Sequence, residues 1–224
     1  LAWSLLEELN DGSGVSRIEG WELRLSDRRA AAESLDFSWQ AGEGEYLYRT
    51  EELVALRGNR YRSQRWAVNR CRREIQGAFR PFEDRDLTAC LQLYTRWAIQ
   101  RQQAHLEERG VRALVRDGLF FHRRLMMDCQ SLGLLGRVFE AEGKILGYTF
   151  GAPISSEIYG VFLEIADRAV PGLAQWLFRE FCREIQERGY PWINAMGESG
   201  LAGLRQAKQS YHPAEILPTF IATR

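Results

Sequence analysis

Glu164 has the residue type and the setting that acid–base chemistry requires. It is the lone carboxylate in an apolar run over 159–165, YGVFLEI, which predicts a strand. Alternation along a strand places its side chain on the face of Ile158 and Phe162. Apolar neighbours raise the pKa of a carboxyl group, which suits a general base near neutral pH. The alternative is a structural glutamate that pairs with an arginine in the core.

Two polar side chains near the C-terminus could serve the same reaction. Lys208 and Tyr211 are three residues apart, so they share one face of a helix predicted over 201–211. Acyl transfer needs a proton acceptor for the nucleophile and hydrogen-bond donors for the developing oxyanion. We predict that Lys208 binds a phosphate or stabilises the oxyanion, and that Tyr211 donates a proton to the leaving group.

The strongest local charge lies between Arg57 and Arg73, where the chain has seven arginines and no acid. Guanidinium groups bind phosphate in a bidentate manner, so this segment, predicted to be helical over 60–73, is interpreted as a groove for tRNA, a phospholipid head group or another phosphate donor. The residues assigned to substrate binding are Arg60, Arg62, Arg65, Asn69 and Arg70. The alternative is a solvated helix face, because acids elsewhere balance the charge.

The overall composition limits the possible partners. Basic and acidic residues number 30 each, so no global field attracts nucleic acid or a membrane, and a local patch must do so. The four cysteines and three histidines have no metal-ligand spacing, so no metal site is predicted. The cysteines fall in helical apolar patterns, which is typical of buried thiols in a reducing cytoplasm. The chain has no apolar run of transmembrane length.

The order of the predicted elements indicates an α/β fold, a mixed sheet with helices on both faces. From residue 77 onward the patterns read strand, two helices, hairpin, strand, helix, strand, helix, strand. The hairpin is the clearest signal, because strands over 137–141 and 145–150 flank the turn residues Glu142 and Gly143. A third antiparallel strand is predicted over 157–166.

Two stretches of this chain resemble known families. Residues 79–87, FRPFEDRDL, together with the element order, resemble a GNAT acyltransferase domain. The tail over 200–213, GLAGLRQAKQSYHP, resembles a bacterial family of unknown function that is related to the C-terminal domain of phosphatidylglycerol lysyltransferase. The similarity spans about residues 45–224. It implies a GNAT-like domain over 77–224, preceded by an incomplete N-terminal portion, in which residues 1–76 are the remnant of an N-terminal GNAT-like domain plus the basic helix.

The resemblance also implies chemistry. Lysyltransferase relatives move an amino acid from aminoacyl-tRNA to a lipid head group, so aminoacyl or acyl transfer is expected. GNAT enzymes often keep a glutamate on the strand of Glu164. Asn194 and Glu198 correspond to a family segment that is rich in asparagine and acids, and they are assigned to substrate binding.

The resemblance further directs attention to the turn before the helix predicted near residue 173. GNAT enzymes that use coenzyme A carry a Q/R-x-x-G-x-G/A turn there, whose N–H groups cradle the pyrophosphate. In this chain Gly172 and Ala174 fit the pattern, but the basic residue, Arg168, comes one position early and Pro171 lacks an N–H donor. These three residues, Arg168, Gly172 and Ala174, are the candidates for cofactor binding. The alternative, an ordinary helix start, predicts weak or no binding of acetyl-CoA.

The sequence therefore predicts an acyltransferase-like protein that transfers an aminoacyl group to a lipid head group or a peptide-like acceptor. Aminoacyl-tRNA and acyl-CoA are the possible donors, and an anionic lipid surface is a possible partner. Two alternatives stay open: an acetyl-CoA-dependent N-acetyltransferase, and a non-catalytic binding module on the same fold.

Overall fold

The computed structural model describes residues 17–20, 38–104, 111–198 and 201–223. The helices are α1 (Thr50–Ala55), α2 (Arg62–Glu74), α3 (Leu87–Ala104), α4 (Val111–Met127), α5 (Leu173–Glu187) and α6 (Ala202–Gln209). The strands are β1 (Arg17–Gly20), β2 (Ser38–Ala41), β3 (Glu45–Arg49), β4 (Ala78–Pro81), β5 (Leu135–Ala141), β6 (Lys144–Pro153), β7 (Ile158–Ala166), β8 (Trp192–Asn194), β9 (Glu215–Leu217) and β10 (Phe220–Thr223). Among the described residues, no helix combines the length and apolar composition that crossing a bilayer requires.

A seven-stranded mixed sheet forms the centre of the fold, with the order β4-β5-β6-β7-β8-β3-β9. Strands β5, β6 and β7 are consecutive and antiparallel, so this prediction is confirmed. The turn between β5 and β6 uses Glu142 and Gly143, both with positive φ, 50° and 70°. Two residues with positive φ give the twist that a two-residue hairpin needs. The fold is GNAT-like, as the element order predicted.

Helices cover the sheet on both faces, each through its apolar stripe. On one face, α3 and α4 pack against β5, β6 and β7 around Leu93, Met126 and Tyr148. On the other face, α5 buries Leu177, Phe181 and neighbouring side chains against the sheet. The four cysteines are buried free thiols within these cores.

Strand β3 brings an N-terminal segment into the middle of this sheet. It pairs antiparallel with both β8 and β9, and its tyrosines Tyr46 and Tyr48 are buried in the α5-side core. A separate three-stranded sheet joins β10 to β1 and β2. Strands from both sides of the predicted boundary between residues 76 and 77 therefore belong to one sheet, and the boundary stays a prediction. Residues 1–16 and 21–37 of the proposed N-terminal remnant lie outside the described residues.

Strands β7 and β8 are parallel neighbours that pair over a short distance only. Ile158–Gly160 pair with Trp192–Asn194, whereas β7 continues to Ala166. In the described part of the chain, nothing continues the β7 ladder on that side beyond Gly160. The sheet is therefore open along half of β7, and the candidate site lies at this opening.

Helix α2 packs against the N-terminal end of α5, and a glycine makes the contact possible. Gly172 precedes α5 with a φ of +83°, a value that L side chains rarely adopt. A Cβ at this position would overlap the carbonyl oxygen of Ala67 in α2. The backbone of α2 therefore lies directly against the turn that was considered for pyrophosphate binding.

We expect Gly172→Ala to lower the free energy of unfolding by about 2–5 kcal/mol. A left-handed φ costs an L-residue about 1–2 kcal/mol, and overlap with the α2 backbone adds about 1–3 kcal/mol. Gly189→Ala is the matched control, because Gly189 has a φ of +89° and nothing within 4 Å of the added Cβ. Urea denaturation measures both variants. Equal losses in the two would contradict a close approach of α2 to Gly172.

Candidate active site

The opening between β7 and β8 leads into a cavity of about 770 Å³. Residues 161–165 of β7 form one wall, and the others come from the N-terminal ends of α5, from α3 and α4, and from the segment 195–197 with α6. Glu164, Lys208 and Tyr211 all line this cavity. The three residues that the sequence assigned to catalysis, separated by up to 47 positions, are thus brought to one space.

A β-bulge determines which way Glu164 points. Phe150 pairs with Leu163 but Gly151 pairs with Val161, so Phe162 is an extra residue in β7. Before the bulge, Val161 packs on the α5 side of the sheet, whereas after it Leu163 packs on the α3 and α4 side. The alternation is therefore reversed, and Glu164 shares the α5 side with Val161. The predicted shared face with Ile158 and Phe162 is wrong, because a bulge re-aims every side chain that follows it.

One carboxyl oxygen of Glu164 has no hydrogen-bond partner in the described chain. This atom, Oε2, is buried although the side chain as a whole is half-buried, and Glu164 forms no ion pair with an arginine among the described residues. Burial raises the pKa of Glu164 to about 8, and the positive charge of Lys208 opposes that rise. The alternative, a structural ion pair between Glu164 and a core arginine, is therefore not observed among the described residues.

Lys208 holds the segment that leads out of β8. Its Nζ donates hydrogen bonds to the backbone carbonyls of Ala195, Met196 and Gly197. Burial lowers the pKa of Lys208 to about 8, although the negative charges of Glu164 and three further acids act to raise it. Because an ammonium group has three N–H donors, all of them are engaged by the protein. Lys208 can therefore act on a substrate through its charge, while its hydrogen bonds shape the wall.

Tyr211 is fixed by contacts at its backbone and its ring. Its N–H donates to the Lys208 carbonyl, and its own carbonyl accepts a hydrogen bond of 3.1 Å from the hydroxyl of Tyr61. The ring packs edge-on against Phe178, with centroids 5.2 Å apart. Burial, together with nearby Glu164, raises the pKa of Tyr211 well above its usual value. The phenol therefore keeps its proton at neutral pH.

Asn194 and Glu198 are buried, and both use their polar atoms within the protein. The Asn194 amide donates to Glu45 at 2.7 Å and accepts from the N–H of Met196 at 2.7 Å. Glu198 accepts hydrogen bonds from Tyr46 and from Arg205, and the Arg205 guanidinium lowers the pKa of that carboxyl group. Asn194 therefore holds the segment 195–197, whereas Glu198 links β3 to α6. Their predicted contact with substrate stays a prediction.

The basic segment forms α2 and the turn before it, and its arginines have different roles. Arg65 donates to the carbonyls of Leu56 and Gly58, so it closes the C-terminal end of α1. Arg60 pairs with Glu52 at 2.9 Å. Arg70 pairs with Glu74 at 2.9 Å.

Other members of the basic segment remain accessible. Arg62 and Asn69 are exposed on α2. Arg57, Arg72 and Arg73 are exposed as well and form no ion pair within the described ranges. These five side chains are what the segment could offer to a phosphate. None of the residues assigned to substrate binding in this segment lines the cavity.

Three N–H groups of the turn before α5 form hydrogen bonds within the turn itself. The N–H of Ala169 donates to the Asp167 side chain at 2.9 Å, and the N–H of Val170 donates to the Asp167 carbonyl at 3.1 Å. The N–H of Leu173 donates to the Val170 carbonyl at 3.2 Å. Pro171 has none. Of the three candidates for cofactor binding, Arg168 is exposed, Ala174 lines the cavity, and Gly172 contacts α2.

An aromatic wall of the cavity was not found from the sequence. Tyr94 and Trp97 of α3 and Phe121 and His122 of α4 line it. His122 is buried, its Nδ1 lies 2.7 Å from the hydroxyl of Tyr148, and burial lowers its pKa to about 3. The imidazole is therefore neutral at physiological pH. In the sequence, His122 follows two phenylalanines in a helical pattern, so no local signal separated it from a core residue.

Comparison with curated protein sequences found no match. A conserved protein of unknown function from Bacteroides thetaiotaomicron is 27% identical with a TM-score of 0.74, over 99% of this chain and 73% of that one. L-PGS from Bacillus licheniformis is 16% identical with a TM-score of 0.58, over 88% of this chain and 65% of that one. A tandem GNAT protein from the clavulanic acid biosynthesis pathway is 11% identical with a TM-score of 0.51, over 99% of this chain and 68% of that one.

The family comparison covers most of the sequence. Residues 25–223 match the family described as phosphatidylglycerol lysyltransferase, C-terminal. The matched range includes β3, the basic segment and all of the elements that line the cavity. The expected relation to this family is confirmed, and the fold is acyltransferase-like. The chain belongs to the family of phosphatidylglycerol lysyltransferase C-terminal domains.

Proposed function

We propose that this protein is an acyltransferase that moves an aminoacyl group from aminoacyl-tRNA to a lipid head group or a peptide-like acceptor. One observation carries the proposal: the Oε2 atom of Glu164 is buried without a hydrogen-bond partner in the described chain, at the wall of a cavity of about 770 Å³. An unpaired buried carboxyl group destabilises a fold, and such costs are concentrated at functional sites.

The reaction assigns a task to each of the three cavity residues. Glu164 takes the proton from the hydroxyl or amine of the acceptor as that atom attacks the ester carbonyl of the donor. The positive charge of Lys208 stabilises the negative charge that develops on the carbonyl oxygen. Tyr211 gives a proton to the ribose oxygen that leaves. The proton on Glu164 then returns through solvent to the phenolate of Tyr211. The products are a new ester or amide and a free tRNA.

The turn before α5 favours aminoacyl-tRNA over an acyl-CoA as the donor. Binding of pyrophosphate requires several free N–H groups at a helix N-terminus. In this turn the N–H groups of Ala169, Val170 and Leu173 are used within the turn itself. The backbone of α2 lies against Gly172 as well. Exposed arginines of the basic segment could bind the phosphates of tRNA instead; they are Arg57, Arg62, Arg72 and Arg73.

Two other functions remain as alternatives. An N-acetyltransferase that uses acetyl-CoA would need the turn before α5 to rearrange. A non-catalytic binding module would keep the cavity without the reaction. Because aminoacyl-tRNA is made in the cytoplasm, the proposed donor places the reaction there, in accord with four buried free cysteines.

A direct assay of donor choice tests the proposal. The purified protein is incubated with radiolabelled aminoacyl-tRNA and phosphatidylglycerol vesicles, or with labelled acetyl-CoA and the same acceptor. We expect label in the lipid fraction from aminoacyl-tRNA only, and no binding of acetyl-CoA in isothermal titration. Low-micromolar binding of acetyl-CoA would favour the acetyltransferase. Transfer from neither donor to lipids or to a panel of aminated peptides would favour the binding module.

A further inference from the structure

Helix α4 places large apolar side chains on its solvent-facing side. Phe120 is 72% exposed and Met127 is 56% exposed, although polar residues normally occupy this side of a helix. The opposite side of α4, with Leu125 and Met126, is buried in the core against the sheet. The apolar residues that point outward are therefore additional to those that the fold needs.

Arginines are interleaved with these apolar residues. Positions three and four apart on a helix are neighbours, so Arg123 and Arg124 lie between Phe120 and Met127. Arg124 pairs with Asp128 at 2.5 Å, whereas Arg123 is exposed and has no ion pair within the described part of the chain. The sequence of α4 contains four arginines and one aspartate, in a chain whose net charge is zero. We call Phe120, Phe121, Arg123, Arg124 and Met127 the α4 face.

The α4 face is continuous with the mouth of the cavity. Phe121 is 52% exposed, and it also lines the cavity together with its neighbour His122. A surface that contacts Phe121 therefore adjoins the entrance to the space that holds Glu164. Any molecule anchored in that surface could present its polar end to the cavity.

We infer that the α4 face docks onto the surface of an anionic phospholipid bilayer. Phenylalanine and methionine side chains that project from a helix enter the boundary between head groups and acyl chains, and arginines contact the anionic head groups. The exposed Arg123 among these apolar residues favours an anionic surface over a purely apolar groove of a protein partner, because its positive charge complements the head groups. The inference deepens the proposed function, on which its biological meaning rests, because it says how a lipid acceptor reaches the cavity.

Vesicle flotation tests the docking surface without any need for transfer activity. The full chain is mixed with vesicles of phosphatidylglycerol and phosphatidylcholine in equal parts, and with vesicles of phosphatidylcholine alone. We expect binding to the anionic vesicles that weakens as salt screens the charges. Phe120→Ser is expected to weaken binding on the order of tenfold to a hundredfold, as removal of one inserted phenylalanine should. Arg123→Gln is expected to weaken it about fivefold.

Two matched controls distinguish this face from other surfaces. Ile216→Ser removes an apolar side chain that is 49% exposed on β9, and Arg183→Gln removes an arginine side chain that is 51% exposed on α5, on the other face of the sheet from α4. Both should leave vesicle binding unchanged. The inference is overturned by absent vesicle binding, by equal losses in the controls, or by a wild-type dimer in light scattering that Phe120→Ser dissociates. Absent vesicle binding with intact transfer to a soluble head-group analogue would overturn the docking surface and leave the proposed function standing.

Discussion

Glu164→Gln is expected to lower the rate of aminoacyl transfer by a factor of about 100 or more. General-base catalysis contributes roughly 100-fold to 10,000-fold, and glutamine has the shape of glutamate without the ability to accept the proton. The Oε2 atom has no hydrogen bond to lose, and Glu164 forms no ion pair with an arginine among the described residues. Single-turnover kinetics with bound aminoacyl-tRNA measure the loss in the chemical step.

The pH dependence of the same reaction provides an independent check. A base must be deprotonated to act, and burial raises the pKa of Glu164 to about 8. The wild-type rate constant should therefore rise with pH from 6 toward about 8. Glu157→Gln, at an exposed position just before β7, is the control and should keep both the rate and the profile. A flat wild-type profile over this range, or an active Glu164→Gln variant, would exclude Glu164 as the base.

Much of the sheet could be predicted from the sequence, because its signals are local. The turn at Glu142 and Gly143 and the alternation beside it establish β5 and β6 without any knowledge of the rest of the chain. The same reasoning selected Glu164 as a lone acid in an apolar strand. It assigned the wrong face because strict alternation holds only for a regular strand. The extra residue at Phe162 depends on how β7 pairs with β6. The sequence of β7 alone carries no information about that pairing.

The polar contacts of the site depend on pairs that are far apart in the chain. The sequence shows Lys208 as a free cation, yet its three hydrogen bonds go to carbonyls at 195–197. Arg65 resembles a phosphate ligand, yet it closes the end of α1. Backbone carbonyls carry no signature in a sequence, so no spacing pattern could have revealed either contact. Strand β3 enters the sheet between β8 and β9 for the same kind of reason, since its pairing is entirely long-range.

Glu164 should also make the stability of the protein depend on pH in a distinctive direction. Its pKa rises from the usual 4.5 to about 8 in the folded state because of burial. Between these two values the folded chain keeps a proton that the unfolded chain releases, so the free energy of unfolding falls as pH rises. The favourable contribution is complete below pH 4.5 and is lost as pH rises through about 8. Lys208, whose pKa is lowered to about 8, gives the opposite slope only at higher pH.

Glu164→Gln removes this titration, so the variant should be as stable as the wild type at pH 5 and more stable at pH 8, by about 2 kcal/mol or more. Urea denaturation of both proteins at pH 5, 6, 7 and 8 measures the difference, with Glu157→Gln as the control that should follow the wild type. A variant that is less stable than the wild type by about 3 kcal/mol at every pH would show a buried ion pair instead. A variant that is both more stable and inactive would mean that the chain keeps an unpaired carboxyl group at the expense of stability. Only a role in the chemistry of the cavity accounts for that combination, because a structural glutamate would have been expected to stabilise the fold.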